Sequence, residues 1–379
     1  MPRIDWDTDK LKHYVRMKGW CPACQWRAER VQWQIRSRGD CRRTPLKYFT
    51  LCASKAIDVF MLERAGLLAR SSSTGRHDHV FFCEQDLEEY AKIIELIGTN
   101  GFLGPLEGII LFEDDDDTKG RSLDDNKRVE RLVRRKLKLK EQHEKLVSAF
   151  PFDVVNLDVC GTIFPPGKGR ISPMIAALRR ILDWQLRQDE HDGHACHGFT
   201  LLLTSSLDNG PVDRSAMEDL LNRMKQNLKY GEFRDAFEER WKHTEPDALF
   251  EQDFPSFFCL ALPKVLIRDG LERGWDAAYR GIYLYRRVDA KSGATYSMMS
   301  SVTHFLRSKQ SSSRTTLNKT AFEAQLDRYV QAASDVVKFS PAVVNEELND
   351  EATLAGVTSD LEAIKNYRDE ILQGLRAAG

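Results

Sequence analysis

The sequence predicts a doubly wound α/β domain between residues 46 and 309, built on a mostly parallel sheet of seven strands. Two observations predict this fold class. Short apolar runs alternate with stretches whose apolar residues recur at helical spacing, and parallel strands require such crossover connections. The last two strand-like runs are joined only by the turn-rich residues 289–293, so we expect them to close the sheet as an antiparallel hairpin.

Five strand-like runs precede the hairpin, and each is short, apolar and bounded by polar or turn-forming residues. They cover residues 46–53, 79–84, 108–112, 152–159 and 199–205. Helices are predicted over residues 54–68, 86–97, 172–188, 215–228 and 255–273. A charged helix precedes the fourth run, and its apolar stripe consists of Val129, Leu132, Val133 and Leu137. The hairpin strands are residues 279–288 and 295–307.

Two extensions flank this domain. Residues 1–45 form a basic N-terminal arm that contains cysteines, and residues 310–379 form a helical extension. Helices are predicted there over residues 319–337 and 360–377. The apolar stripe of the last helix consists of Leu361, Ile364, Ile371 and Leu375. This stripe either packs back on the domain or binds a helix of a protein partner.

The chain has a formal net charge of −1, but its N-terminal part is basic. Residues 1–50 contain twelve Lys or Arg against five Asp or Glu, a local net charge of about +7. Trp20, Trp26 and Trp33 lie among these cations, and such a mixture can stack on bases and neutralise phosphates. We therefore expect an anionic partner, nucleic acid first, with a solvated basic face as the alternative.

The composition favours a cytoplasmic protein without a membrane anchor. No run of about 20 apolar residues is present that could span a bilayer, and the N-terminus lacks the apolar core of a signal peptide. Cys52, Cys83 and Cys259 lie inside apolar runs. This placement is typical of reduced, buried thiols rather than of a disulfide framework.

A candidate zinc site lies in the basic arm. Cys21 and Cys24 form a Cys-x-x-Cys pair, and Cys41 follows. Structural zinc takes four tetrahedral ligands, so the three cysteines need a fourth ligand, for which His13 and Cys52 are candidates. A redox pair is the alternative interpretation of the Cys-x-x-Cys spacing.

The order of the predicted elements resembles class I S-adenosylmethionine (SAM) methyltransferases over residues 46–309. In an open parallel sheet, ligands bind beyond the carboxyl ends of the strands. The resemblance implies that SAM binds there, with Ser54 in the first turn, Glu84 accepting hydrogen bonds from the ribose, and Asp114 near the adenine. The turn of residues 52–56 contains no glycine, whereas this family has a glycine-rich turn. Ser54 and Glu84 can instead act as helix caps.

The fourth strand ends in the run NLDVCGT, residues 156–162. This run resembles the Asp-Pro-Phe-Gly motif of tRNA guanine-N2 dimethyltransferases. The resemblance implies that Asp158 orients the nucleophilic amine and that Gly161 is the motif glycine. Val159 and Cys160 replace the proline and the aromatic residue of that motif, so the base-stacking platform is missing. The alternative is a polar residue in a binding cleft without catalysis.

A glycine-containing loop, residues 164–170, follows this motif and includes Lys168 and Arg170. The two cations lie where they could hold a substrate phosphate. The loop has neither the spacing nor the Lys-Ser/Thr ending of a phosphate-binding P-loop. An ordinary surface loop is the alternative.

Together these features predict a SAM-dependent methyltransferase-like protein that acts on nucleic acid. A first alternative is a catalytically degenerate protein that keeps the same fold as a sensor of nucleic acid or nucleotides, or as a subunit of a bacterial defence or modification complex. A second is a metal-dependent hydrolase that uses Asp158 and the acidic residues 114–117, because carboxylates suit Mg²⁺.

Overall fold

A computed structural model describes residues 9–37, 44–53, 55–98, 100–112, 126–159, 161–163, 172–187, 196–207, 214–242, 244–288, 295–308, 329–337 and 341–378. These residues form an α/β structure in which helices cover both faces of one mixed sheet. Within these ranges, no helix combines the length and the apolar character needed to cross a membrane.

The sheet has eight strands in the order β3-β2-β1-β4-β5-β7-β6-β8. The strands are β1 Tyr48–Thr50, β2 Val80–Glu84, β3 Gly101–Leu103, β4 Val154–Asp158, β5 Gly198–Ser206, β6 Trp275–Val288, β7 Thr295–Arg307 and β8 Ala342–Val343. Strands β1 to β5 are parallel, and β7 is antiparallel to both β5 and β6. The predicted α/β class, mostly parallel sheet and closing hairpin are confirmed. The eighth strand, which pairs with β6 in parallel, was not predicted.

The prediction of the third strand at residues 108–112 is wrong. This segment belongs largely to a helix, Leu106–Ile110, and the strand lies earlier, at Gly101–Leu103. A short apolar run cannot be assigned to helix or strand by its pattern alone. Gly101 permits the true strand, because a Cβ there would lie 2.5 Å from the Phe82 ring and 2.7 Å from the Tyr90 ring.

Most of the predicted helices begin and end close to their predicted bounds, and the described residues form six further helices that were not predicted, fourteen in all. They are α1 Lys10–Val15, α2 Cys21–Arg36, α3 Ile57–Arg64, α4 Leu87–Leu96, α5 Leu106–Ile110, α6 Asn126–Ala149, α7 Pro173–Trp184, α8 Arg214–Asn227, α9 Gly231–Trp241, α10 Pro246–Gln252, α11 Phe254–Glu272, α12 (residues 329–337), α13 Val344–Glu347 and α14 Glu351–Ala378. Arg16–Trp20 forms a π-helical turn between α1 and α2. Leu137 does not belong to a buried stripe of α6, since 61% of its surface is exposed.

The two faces of the sheet carry separate cores. On one face, α5 to α12 form an apolar cluster around Phe49, Val155 and Leu203. On the other face, the N-terminal helices, α3, α4 and α14 pack around Tyr48 and Val154. Because successive residues of a strand point to opposite faces, Asn156 and Asp158 share the second face with Val154.

The N-terminal segment, which consists of α1, the π-helical turn and α2, lies on the second face of the sheet, and so does the last helix. Trp20 and Cys24 are buried there, so α1, the π-helical turn and α2 lie on the sheet. Leu361 and Ile364 of α14 are buried in the same cluster, and Tyr367 lies edge-on to Phe60 of α3. The apolar stripe of the last helix therefore packs back on the domain.

Candidate functional site

The candidate site lies where β1 and β4 are neighbours at the centre of the sheet. The chain leaves β1 toward β2 on one side and leaves β4 toward β5 on the other. Such a reversal of strand order opens a crevice at the carboxyl ends of the two strands, and ligands of α/β proteins bind there. The residues that end β1 and β4 are therefore the first place to look for chemistry.

Asp158, the predicted catalytic residue, is the last residue of β4 and is already paired with an internal cation. Its Oδ2 lies 2.5 Å from Nζ of Lys12 in α1. Only 3% of Lys12 and 9% of Asp158 are exposed. A buried pair of this kind is costly to break, because either partner alone would be an uncompensated charge in a medium of low polarity. The ammonium group of Lys12 thus lies at the position where the sequence resemblance places the amine of a substrate.

A second buried carboxylate, Asp58 of α3, joins β1, α3 and β4. Its Oδ2 accepts hydrogen bonds from Tyr48 Oη at 2.8 Å, Thr50 Oγ1 at 2.9 Å and Asn156 Nδ2 at 3.2 Å. Burial, together with the negative charge of Asp58, raises the pKa of the Tyr48 phenol well above its ordinary value. Asp58 was not among the predicted site residues, although a single acid between the apolar residues Ile57 and Val59 is a detectable signal.

Unpaired polar atoms are concentrated between the N-terminal segment and the sheet, at an interface that we call the polar seam. Asp58 Oδ1, Asn156 Oδ1, Asp158 Oδ1 and His13 Nδ1 are buried there without a hydrogen-bond partner among the described residues. Each such atom costs about 1–3 kcal/mol unless water reaches it. The polar seam is therefore less well satisfied than an ordinary protein core.

The turn after β1 has the backbone shape that usually selects glycine, but no glycine is present. Ala56 has a φ of 48°, in the left-handed region, and its N–H donates to the Ala53 carbonyl at 2.9 Å. The next helix begins at Ile57 with Ala56 as its N-cap. The expectation that Ser54 caps this helix is therefore wrong, and Ser54 itself lies outside the described residues.

Glu84 is the last residue of β2, as predicted, and its side chain binds backbone N–H groups of the two residues that follow it. Its Oε1 accepts hydrogen bonds from the N–H groups of Gln85 and Asp86 at 2.7 and 2.8 Å. Asp86 then caps α4 by accepting from Glu88 and Glu89. The helix cap is therefore Asp86 and not Glu84, and the role of Glu84 toward a ribose stays a prediction.

The remaining predicted site residues divide into two groups. Gly161 is exposed beside the end of β4, and a Cβ there would have no neighbour within 4 Å. Asp114, Lys168 and Arg170 lie outside the described residues, so the predictions on adenine and phosphate contacts stay untested. The acidic residues 114–117 of the hydrolase alternative lie outside them as well.

The cysteines of the predicted zinc site lie at the start of α2. Burial raises the pKa of both thiols, that of Cys24 well above its ordinary value, which favours the neutral thiol over a metal-binding thiolate. Among the described residues, no three His, Cys, Asp or Glu side chains come close enough to hold a metal ion. Cys41 lies outside these residues, and the proposed fourth ligand His13 pairs with Asp360 at 3.1 Å. The zinc site stays a prediction.

Some cations of the N-terminal segment point inward and are buried, whereas others point outward to solvent. Lys12 pairs with Asp158, and Arg27 is buried and pairs with Asp153 at 2.9 Å. In contrast, Arg30 is exposed on α2, and 66% of the Trp33 side chain is open to solvent. All these cations were predicted to be available to an anionic partner, and for Lys12 and Arg27 this prediction is wrong.

The outward side of α2 carries a stripe of two aromatic residues and one cation. Trp26, Arg30 and Trp33 recur at helical spacing, so they share one side of the helix. The Arg30 guanidinium lies 5.2 Å from the centre of the Trp26 ring, and Trp26 stacks on His304 of β7 with 3.9 Å between ring centres. We call Trp26, Arg30 and Trp33 the α2 stripe.

Comparison with known proteins gives one family. The model of a family described as PP_RS20740-like matches residues 128–373, which is more than half of the chain. The chain belongs to the PP_RS20740-like family. The matched part extends from α6 to α14, so it includes Asp158 but neither Lys12 nor the α2 stripe. No curated protein and no solved structure matches the chain.

Proposed function

We propose that the protein binds nucleic acid on a methyltransferase-like scaffold whose cofactor edge is closed by its own N-terminal segment. The sheet order β3-β2-β1-β4-β5 is that of doubly wound nucleotide-binding domains, and the antiparallel hairpin adds the closing element of the resemblance. This layout supports a scaffold of that type. Fold alone does not carry an activity, so the proposal depends on the site.

The proposal rests on one observation: the basic N-terminal segment has an inward side that is buried and an outward side that is exposed. Its inward cation Lys12 neutralises Asp158 at the crevice where a substrate amine would bind. Its outward α2 stripe leaves Arg30 and Trp33 exposed. The same segment thus occupies the expected reaction site and presents a surface suited to a different task.

The chemistry of the α2 stripe suits single-stranded nucleic acid. Every base has a flat face, so an exposed indole can stack on it without reading the sequence, at about 1–3 kcal/mol per base. Arg30 supplies a cation for the adjacent phosphate. Arg280 of β6 is exposed as well and lies close enough to His304 to lower its pKa, so positive charge continues from α2 onto the sheet edge.

The test is binding of a labelled single-stranded oligonucleotide to the full chain, measured by fluorescence anisotropy at several salt concentrations. We expect affinity to fall steeply with salt. Trp33→Ala should weaken binding about 5- to 150-fold, the loss of one stacking contact of about 1–3 kcal/mol, and Trp33→Phe should retain most of the affinity. Arg30→Ala should reduce the slope of log affinity against log salt concentration by about 1, as expected for the loss of one phosphate contact.

Arg234→Ala is the matched control for Arg30→Ala, because Arg234 is also an exposed helical arginine, on α9. It should leave binding unchanged. Equal affinity of wild type and Trp33→Ala, or no binding by a folded protein, would remove the α2 stripe from the proposal.

A second candidate is an active SAM-dependent methyltransferase in which the N-terminal segment moves away. The unpaired oxygens of Asp58, Asn156 and Asp158 favour it, because displacement would give these buried acceptors new partners. In that case Lys12 would be exchanged for the amine of a nucleic-acid substrate, which Asp158 would orient.

Calorimetric titration with SAM and S-adenosylhomocysteine separates the two candidates. The second candidate requires Lys12→Ser to bind SAM at micromolar strength and more tightly than wild type, with the binding lost in Glu84→Ala. The double variant Lys12→Ser, Asp158→Asn repeats the test without an unpaired buried carboxylate. If neither variant binds while both remain folded, the closed scaffold is favoured.

A further inference from the structure

A cavity of about 250 Å³ lies on the other face of the sheet, between α6, α7 and the end of α5. We call it the α7 pocket. Its polar lining consists of Arg180, Arg187 and His143, and its flat walls are Trp184 and Phe112. Among the described residues, no carboxylate lines it. The described lining of the α7 pocket therefore combines cations with aromatic rings.

Both arginines of the α7 pocket lack an ion pair within the described part of the chain. Arg180 and Trp184 lie one turn apart on α7, and Arg187 lies in the turn that follows. The acid between them, Asp183, pairs with Arg273 at 3.1 Å. The two guanidinium groups thus leave their planar donor forks available, a geometry that matches phosphate and carboxylate oxygens.

His143 is held in place before any ligand arrives. Its Nδ1 donates to the Ile109 carbonyl at 2.8 Å, since a carbonyl oxygen can only accept. The ring is edge-on to Trp184, with 5.6 Å between ring centres, and lies 5.7 Å from the Phe112 ring. Trp184 is fixed in turn by Phe150 at 5.2 Å. This rigidity reduces the entropy lost when a ligand binds.

The size of the α7 pocket limits the ligand. Pockets for drug-sized ligands measure about 300–1,000 Å³, so a cavity slightly below this range suits a single nucleotide rather than a dinucleotide. Aromatic walls favour a flat ring, and the two guanidinium forks favour an oxygen-rich anion.

We propose that the α7 pocket binds a phosphate monoester that carries a single base. A free nucleoside 5′-monophosphate and the 5′-phosphate end of a nucleic-acid strand share this chemistry. The phosphate contacts Arg180 and Arg187, and the base lies against Trp184 or Phe112. This site is separate from the α2 stripe, because the two lie on opposite faces of the sheet, and it does not depend on the function proposed above.

The test is calorimetric titration of the full chain with adenosine 5′-monophosphate, adenosine and inorganic phosphate. We expect the monophosphate to bind more tightly than either of its parts. Arg180→Ala and Arg187→Ala should each weaken its binding at least about tenfold, the loss of a hydrogen bond to a charged group. Arg234→Ala is the matched control and should bind as wild type does.

Two results would overturn the proposal. One is the absence of monophosphate binding at about millimolar concentration by a protein whose circular dichroism shows it folded; the other is equal affinity of wild type and both arginine variants. A 5′-phosphorylated oligonucleotide then identifies the source of the ligand. If its Arg180-dependent affinity exceeds that of the monophosphate, the ligand is a strand end; if it is lower, the ligand is the free nucleotide.

Discussion

The two faces of the sheet are held by different interactions. On the face covered by α5 to α12, aromatic rings pack directly on one another, as where Phe199 stacks on Phe305 with 4.9 Å between centres and lies edge-on to Trp275. On the other face, the N-terminal segment buries Val15, Trp20 and Cys24 in an apolar cluster and also makes buried polar contacts with the sheet. Lys12 pairs with Asp158, and the Trp20 indole donates to Ser300 Oγ at 3.0 Å.

Apolar burial and buried ion pairs contribute differently to the stability of the fold and to the position of a segment within it. Apolar burial is favourable by about 25 cal/mol per Å² whatever the exact arrangement. The attraction within a buried ion pair gains little more free energy than the desolvation of its two charges costs, although the pair requires a strict geometry. Apolar burial therefore supplies most of the cohesion on both faces, whereas the polar seam adds a strict geometry to the position of the N-terminal segment.

The largest effect is expected when the buried charges of the polar seam are unpaired. Lys12→Met should lower the free energy of unfolding by about 3–5 kcal/mol, because it leaves Asp158 buried without a counter-charge. Asp158→Asn should have a similar cost through the uncompensated Lys12. Urea denaturation followed by circular dichroism measures both.

The double variant Lys12→Met, Asp158→Asn is the control, since it removes both charges and keeps the volumes. It should return to within about 1 kcal/mol of wild type, because neutral replacements of similar size often substitute for a buried pair. Losses below 1 kcal/mol in both single variants would mean that water already reaches the pair, and the two faces would then differ less than proposed.

A smaller effect is expected on the pH dependence of stability. Burial, and then the charges of Arg280, Arg27 and Arg30, lowers the pKa of His304 from 6.5 to about 3. Burial, followed by Arg16, lowers that of His13 to about 4 against the opposing influence of Asp360. Both side chains are neutral in the folded state. As the pH falls below about 6.5, the unfolded chain binds protons that the folded chain does not, so stability decreases.

Each histidine contributes at most about 2 kcal/mol of this loss between about pH 6.5 and pH 5, since one pKa unit corresponds to about 1.4 kcal/mol. Thermal melts at about pH 7.5 and pH 5 measure it. His304→Gln, which removes one titrating group, should show a shallower decrease than wild type. An identical decrease in both proteins would mean that the polar seam does not control the acid response.

The sequence predicted most of the sheet because its strands are apolar runs with clear borders. Strands β2, β4, β5 and β7 lie close to the predicted ranges, since each is buried between helices. The run at residues 108–112 misled the prediction, because five apolar residues fit a helix as well as a strand. Strand β8 has two residues, too few to leave a pattern.

The site was only partly predictable. Asp158 and Glu84 end strands, and the rule that ligands bind at strand ends is sufficient to select them. Lys12 could not be selected, because it is one of twelve cations in residues 1–50 and pairs with a residue far along the chain. Lysine is almost never buried unless paired, so sequence reasoning places it on the surface by default. Only the fold shows which cation turns inward.

The way the chain ends its sheet has a consequence for solubility. An exposed strand edge offers free N–H and C=O groups to neighbouring molecules and invites aggregation. The edge strand β3 spans three residues and β8 two. Beyond β8, the Asn345 side chain donates to the Arg286 carbonyl at 2.8 Å and accepts from its N–H at 2.7 Å, so an amide takes the place of a further strand. A bulge between Tyr279 and Gly281 interrupts the rest of β6. Another copy of the chain would find little regular backbone on which to extend the sheet.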